Sequence, residues 1–404
     1  MKSTILLILL LLVAAGHVAT AQVDTTRARY YRPIFPAVTV TSGVTYGSAA
    51  NFAGIIQPLL MDIYQPTGDT VRRRPVIIFA HQGGFVTGLR TDAYMVAVCT
   101  RFAKLGYVTA SIDYRLLFFP FDTVNVAKAA IRGMQDLRAA VRFFRQDAAT
   151  AKLYRAHSSY ITVGGSSAGA FAALEVGYIN KPTEVPGYVD LAGLGGIEGA
   201  SGNPGYSSAV LAVLNLSGAT ENPSVIEAGN APLCSVHGTA DGTVPYFQGR
   251  VGASLPPKYV YGSGRLNPRA TALGIRNTLR TLRGAGHIPF ETDAAYADTT
   301  FRTIRDFLRP SLGQAGTVIT AARPNSAKAP TAQAYPNPAD EAVRVVLPAA
   351  WRLPLEAQLL DATGRVVRAL SPSDKVLLLE RGVLPAGIYW LRFAGQVPVR
   401  VEFQ

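Results

Sequence analysis

The run Gly165-Ser166-Ser167-Ala168-Gly169 constrains this chain more than any other. Ahead of it, Ser159-Tyr160-Ile161-Thr162-Val163-Gly164 is apolar and β-branched and reads as a buried strand. Behind it, Ala170-Phe171-Ala172-Ala173-Leu174-Glu175 reads as a helix. A strand that enters a helix through one sharp turn holds its central residue in strained dihedrals and brings the two elements close together. Small residues are then needed two before and two after that centre. Ser167 has Gly165 and Gly169 at this spacing. Ser166 sits in a looser frame, between Gly164 and Ala168, and both serines remain candidates for the centre. Taken alone, the run also fits a glycine-rich β-turn with solvent-facing serines.

Three further stretches add partners. Arg74-Pro75-Val76-Ile77-Ile78-Phe79-Ala80 is a second buried-strand run and ends in His81-Gln82-Gly83-Gly84-Phe85. Two consecutive glycines after a strand leave backbone N–H groups unshielded, able to hold a developing oxyanion together with the N–H of Ala168. Asp241 follows the apolar run Ala231–Val236 at a strand tip, where a carboxylate can orient an imidazole; Asp241-Gly242 is also an ordinary turn pair. Of the five histidines, only His287 comes after that acid, in Gly284-Ala285-Gly286-His287. The order Ser167, Asp241, His287 is that of a nucleophile, its orienting acid and its base.

With those residues the chain resembles the α/β-hydrolase superfamily, in particular its carboxylesterase and hormone-sensitive-lipase-like branch. Met61-Asp62-Ile63-Tyr64-Gln65-Pro66, Gly106-Tyr107-Val108, Ser111-Ile112-Asp113-Tyr114-Arg115-Leu116 and the Asp241-x-x-Val244-Pro245 spacing carry the likeness further, over about residues 37 to 312. The branch has a His-Gly-Gly-Gly-type loop, and Gln82 stands here where its first glycine is usual; the donor glycines fall on Gly83 and Gly84. The resemblance implies an α/β-hydrolase fold and ester hydrolysis with Ser167, Asp241 and His287 catalytic and Gly83, Gly84 and Ala168 forming the oxyanion hole. It implies no cofactor and no metal.

The 404 residues suffice for one large α/β domain and a small second one. Residues 1–21 read as a secretory signal peptide: Lys2, the apolar Ile5–Val13 and the small-residue site Ala19-Thr20-Ala21. Its apolar stretch is short for a membrane span, and no other run reaches that length. Cys99 and Cys234 read as two core thiols rather than a bridge. The net charge of +13 is scattered, and no nucleic-acid motif accompanies it.

Residues 22–312 alternate strands and helices, which argues a mostly parallel sheet with helices on both faces. Within them, Asn125–Lys152 reads as a helix broken near Gly133, Pro268–Arg283 as a helix, and the Gly/Pro-rich Asn180–Ser208 as the roof of the site. Residues 313–333 are Ala/Thr/Pro/Ser-rich and read as a linker. Residues 334–404 turn all-β, as a small sandwich. Tyr335-Pro336-Asn337-Pro338, Asp361-x-x-Gly364-Arg365 and Leu384-Pro385-Ala386-Gly387-Ile388-Tyr389 resemble the C-terminal sorting domain of type IX secretion substrates. That likeness implies export through the periplasm of a Gram-negative bacterium to the surface or medium, with the secretion machinery as partner.

The expected substrate is a short-chain or polysaccharide-linked acyl ester. Two other classes stay open. One is a peptidase of the prolyl-oligopeptidase type, although no propeller region is evident. The other is a surface carbohydrate-binding or adhesion protein, in which Trp351 and Trp390 of the sandwich would grip the ligand.

Overall fold

A computed structural model describes residues 28–252, 258–312, 332–349, 351–361, 365–393 and 398–404. The expected leader, residues 313–331 of the expected linker and the turn Ala362-Thr363-Gly364 lie outside them. The chain divides into two compact units, with the boundary inside the expected linker.

The first unit begins with strands β1 (Val38–Ala50), β2 (Ile56–Pro66) and β3 (Arg74–Ala80). Helix α1 (Ala93–Ala103), β4 (Val108–Ile112), α2 (Thr123–Ala149), β5 (Ala156–Ser166) and α3 (Ala168–Tyr178) follow. Then come β6 (Val213–Leu216), β7 (Ala219–Thr220), β8 (Leu233–Gly238), β9 (Gln248–Arg250), β10 (Tyr259–Gly262), α4 (Ser263–Ala272), β11 (Asn277–Leu282) and α5 (Ala294–Leu312). Eight strands form one sheet in the order β1-β2-β4-β3-β5-β6-β8-β11. From β4 to β11 every pairing is parallel; β2 runs antiparallel to β4, and β1 to β2.

Strand β3 shows why the sheet is two-sided. All seven of its residues are buried. Val76, Ile78 and Ala80 join one core cluster with Leu137 and Phe144 of α2 and Leu174 of α3. Ile77 and Phe79 join the other, with Phe102 of α1 and Ile304 of α5. The period-two alternation thus feeds two apolar layers, and helices cover both faces. Parallel order places the loops after β5, β8 and β11 at one end of the sheet, the carboxyl end where such folds bind ligands.

Three expectations need correction. Helix α2 runs unbroken through Gly133. A side chain there would meet the Phe85 ring at 3.3 Å and Ala172 at 3.5 Å, so this glycine serves close packing and not a break. Pro268–Arg283 is not one helix: α4 stops at Ala272, and Asn277–Leu282 pairs in parallel with β8 as the edge strand. Only Leu279 and Leu282 of Asn277-Thr278-Leu279-Arg280-Thr281-Leu282 are apolar, so the parallel pairing with β8, and not a local pattern, makes this segment a strand.

The third concerns Asn180–Ser208, most of which does not roof the site. Its second half is fastened to α2 and β1. Gln135 Nε2 donates to the carbonyls of Leu194 and Gly196 at 2.9 and 2.7 Å, Arg142 Nε to that of Gly202 at 3.0 Å, and Ser48 N–H to that of Ser201. Buried polar side chains of one helix thereby satisfy the backbone of an irregular segment, which accounts for its lack of periodicity. Cys99 and Cys234 are free and buried, as expected, and burial pushes the Cys234 thiol up to about 12.

The second unit holds β12 (Gln333–Tyr335), β13 (Ala342–Val346), β14 (Ala357–Leu360), β15 (Val366–Leu370), β16 (Val376–Glu380), β17 (Gly387–Phe393) and β18 (Val399–Phe403). They form two antiparallel sheets, β12-β13-β16 and β15-β14-β17-β18. Val343 and Val345 of one sheet share a core with Leu359, Leu391 and Val401 of the other. Trp351 belongs to that core, its ring 5.2 Å from Phe393, so it cannot grip an external ligand; Trp390 is 43% exposed. Asn337 bonds to the backbone of Arg400 and Glu402, and Tyr389 OH donates to the Pro385 carbonyl, so residues of the sorting-type motifs do structural work here.

Candidate active site

Ser167 caps α3 at the end of β5 with φ 50° and ψ −117°. A serine in this region is strained, and the surrounding fold must hold it there. The close approach it needs is visible in its neighbours. A Cβ on Gly169 would lie 2.1 Å from the Ala80 carbonyl oxygen, and one on Gly165 would lie 2.2 Å from the Gly169 backbone.

His287 and Asp241 arrive from the loops after β11 and β8. His287 Nε2 lies 2.9 Å from Ser167 Oγ, and its Nδ1 lies 2.7 Å from Asp241 Oδ2. A carboxylate only accepts, so Nδ1 carries the proton and Nε2 is left to accept from the serine hydroxyl. Asp241 Oδ1 accepts from the N–H groups of Thr243 and Val244 at 2.9 and 2.8 Å. Burial by itself raises the Asp241 pKa. Hydrogen bonds from His237 and His287, the His287 charge and the Val244 N–H outweigh it and hold the carboxyl well below the usual carboxylate range. Asp241 is therefore an anion, ready to stabilise an imidazolium.

Ser166 is fully buried and donates to Glu291 Oε1. The two candidates for the centre of the turn are thus separated: Ser167 meets the imidazole, and Ser166 faces away from it. Glu291 sits four residues after His287, so this bond fastens the histidine loop to the end of β5. Burial raises its pKa above the usual value, while Ser166 and His287 oppose the rise. Between them Ile288 is held at φ 42°, a left-handed conformation that a β-branched residue adopts only when its surroundings impose it.

Gly83 and Gly84 both have positive φ, 112° and 61°. Their N–H groups and that of Ala168 find no acceptor among the described residues, and all three residues line the same cavity as Ser167. Gln82 does not disturb this loop: its amide reaches Asp92 at 3.2 Å, and its carbonyl accepts from His81 Nδ1 at 2.6 Å. His81 stacks on Tyr114, ring centroids 4.3 Å apart, which fixes the start of the loop.

The cavity measures about 560 Å³. Phe85, Val86, Val126, Phe171, Val244 and Val260 give it apolar walls, and Glu175, Glu221 and Lys258 also line it. Phe121, from an exposed aromatic loop, stands at one side. Among the described residues, no group of His, Cys, Asp or Glu side chains could hold a metal ion. Nor is any helix among them long and apolar enough to cross a membrane.

Sequence reading missed three contributors. His237 Nε2 lies 3.2 Å from Asp241 Oδ2 and 3.0 Å from the Val244 carbonyl, and its Nδ1 lies 2.9 Å from Ser263 Oγ. The i, i+4 spacing of His237 and Asp241 was a signal, but across a strand end it has no fixed geometry. Glu291 carries no local signal, since it acts through its bond to Ser166; Glu175 is signalled only by its spacing of eight residues from Ser167 along α3.

The chain matches the BD-FAE family over residues 61–224. It is 34% identical over 109 residues to the juvenile hormone esterase of Heliothis virescens, a stretch covering 26% of this chain and only 18% of that protein. Its structure is similar to apo esterase 2 of Thermogutta terrifontis, with 22% identity and a TM-score of 0.50, covering 70% of this chain and 98% of that one. The same esterase phosphonylated by sarin also aligns with a TM-score of 0.50 and 22% identity, over 70% of this chain and 97% of that one. The fold is that of an α/β-hydrolase. The matches to BD-FAE and to the insect esterase both fall on part of the chain, whereas the structural likeness spans nearly all of the bacterial esterase.

Proposed function

We propose that this chain is a carboxylic ester hydrolase that works through an acyl-enzyme. The relay Ser167–His287–Asp241, at 2.9 and 2.7 Å beside a cavity lined by Gly83, Gly84 and Ala168, carries this reading. Ser167 Oγ attacks the ester carbonyl as His287 Nε2 takes its proton, and Asp241 stabilises the imidazolium. The three N–H groups receive the oxyanion, where loss of one such donor costs about 3 kcal/mol of transition-state stabilisation. His287 then protonates the departing alcohol and activates water to release the acid. The apolar walls suit a carbon-rich arm of the ester, in a short-chain or polysaccharide-linked substrate. The name of the juvenile hormone esterase to which part of the chain is similar agrees with the chemistry.

A panel tests the class: p-nitrophenyl acetate to palmitate, acetylated xylan and an aminoacyl anilide. Hydrolysis of the esters with no anilide cleavage is expected; an anilide cleaved faster than every ester would overturn the reading. The second unit serves export in this proposal, as a type IX sorting domain read from its motifs. Deleting residues 325–404 in the native host should leave active enzyme in the periplasm, and arrival of the shortened chain at the cell surface would refute the sorting role.

A further inference from the structure

Behind Asp241 runs a chain of polar groups whose donors can be assigned one by one. The Gly218 N–H donates to Asn215 Oδ1 at 2.9 Å, which turns the amide nitrogen of that residue toward Ser235 Oγ and Ser263 Oγ, at 3.2 and 3.1 Å. Ser263 Oγ accepts there, so its own proton is free for His237 Nδ1, 2.9 Å away. The ring proton of His237 then sits on Nε2, where two acceptors share it: the Val244 carbonyl at 3.0 Å and Asp241 Oδ2 at 3.2 Å. The other tautomer would turn a lone pair toward both oxygens, so the two sides of the ring demand the same proton position. Asn215 comes from β6, His237 from β8 and Ser263 from the first position of α4, and all three are fully buried. A polar chain at this depth is costly unless every member is satisfied, and here each bond settles the next.

We propose that His237, with its proton set on Nε2 by Ser263 and Asn215, is a positioning residue for the reaction at Ser167: it fixes Asp241 Oδ2 against His287 and keeps the proton of that bond on the imidazole. This inference rests on the ester-hydrolase reading above. The oxygen concerned carries the argument. Oδ2 is the one that accepts from His287 Nδ1, at 2.7 Å, while the backbone N–H groups of Thr243 and Val244 hold only Oδ1. Two donors on one oxygen leave the other to be placed by its own partners. His237 supplies that second hold from the side away from Ser167. A carboxylate oxygen that already accepts one imidazole N–H is also a weaker base toward the next. The proton on His287 Nδ1 therefore stays there as Nε2 takes the serine proton, and Asp241 remains an anion beside the imidazolium.

Steady-state kinetics on p-nitrophenyl acetate test the assignment. His237→Leu removes the donor, and His237→Gln keeps an N–H near the position of Nε2. His237→Leu should lose about 10- to 100-fold in kcat with KM within about twofold of wild type, and His237→Gln should recover most of that loss. On an Asp241→Ala background, His237→Leu should cost less than about threefold, because the residue it acts through is gone. Ser263→Ala removes a single hydroxyl and serves where urea denaturation shows that His237→Leu does not fold; it should lower kcat about 3- to 10-fold, again only when Asp241 is present. Wild-type kcat in the folded variant would overturn the proposal. So would equal losses with and without Asp241, which would make His237 a part of the core alone. Both results leave the ester-hydrolase reading intact. Failure of the wild type to hydrolyse p-nitrophenyl acetate would refute that reading and the positioning role with it.

Discussion

Replacing Asp241 by asparagine keeps the side chain's shape and exchanges one acceptor for a donor, and the structure says where that donor must go. Oδ1 receives two backbone N–H groups, from Thr243 and Val244, while Oδ2 faces His287 Nδ1 and His237 Nε2. Turning the amide nitrogen toward the backbone would set it against two donors that cannot change, each a buried loss of about 1–3 kcal/mol. The imidazoles can adapt. His237 keeps the Val244 carbonyl at 3.0 Å, and His287 can move its proton to Nε2. The amide nitrogen therefore faces His287, whose Nδ1 becomes the acceptor. Its protonated Nε2 then points at Ser167 and cannot take the serine proton. The expected loss in kcat is about 10³- to 10⁴-fold, or about 4–5 kcal/mol of barrier. Asp241→Asn should be no more active than Asp241→Ala despite its better fit. Initial rates on p-nitrophenyl acetate, with urea denaturation confirming that both variants fold, decide the matter. An asparagine variant within tenfold of wild type would refute the tautomer argument.

Two other perturbations follow from the packing and the charges. Gly169→Ala would drive a methyl group to 2.1 Å from the Ala80 carbonyl, so a loss of about 3 kcal/mol in chemical denaturation is expected; unchanged stability would show that helix and strand separate freely. Glu175 has a folded pKa of about 8, above the ordinary 4.5, so its contribution to stability is fully present below pH 4.5 and is lost as pH rises toward 8. At about 1.4 kcal/mol per unit, Glu175→Gln should gain on the wild type by up to about 5 kcal/mol between those limits; parallel stability–pH curves for the two proteins would contradict this.

The sequence disclosed the parts whose chemistry is local. The elbow is legible because its strain demands glycine at fixed spacing. The order Ser167, Asp241, His287 is legible because the parallel sheet delivers its loops to one end in chain order. What stayed hidden depends on pairing across the fold. From sequence Ser166 is a rival for the nucleophile, because the contacts that separate the two serines, His287 to Ser167 and Ser166 to Glu291, join residues 120 and 125 apart. The strand Asn277–Leu282 reads as helix from sequence because its pairing with β8 is non-local. Gly133 reads as a helix break from sequence because the Phe85 ring that fills its empty side arrives from another loop. Asn180–Ser208 reads as a roof from sequence because nothing in its own residues announces the polar face of α2 that holds it.

The central claim is that Ser167, and not its neighbour, is the nucleophile of an ester hydrolase. A fluorophosphonate inhibitor followed by peptide mass spectrometry tests it most directly, on the wild type and on Ser167→Ala and Ser166→Ala. One adduct per chain on Ser167, a matching loss of p-nitrophenyl acetate hydrolysis, and no labelling of Ser167→Ala are expected. An adduct on Ser166, or full labelling and turnover by Ser167→Ala, would contradict it.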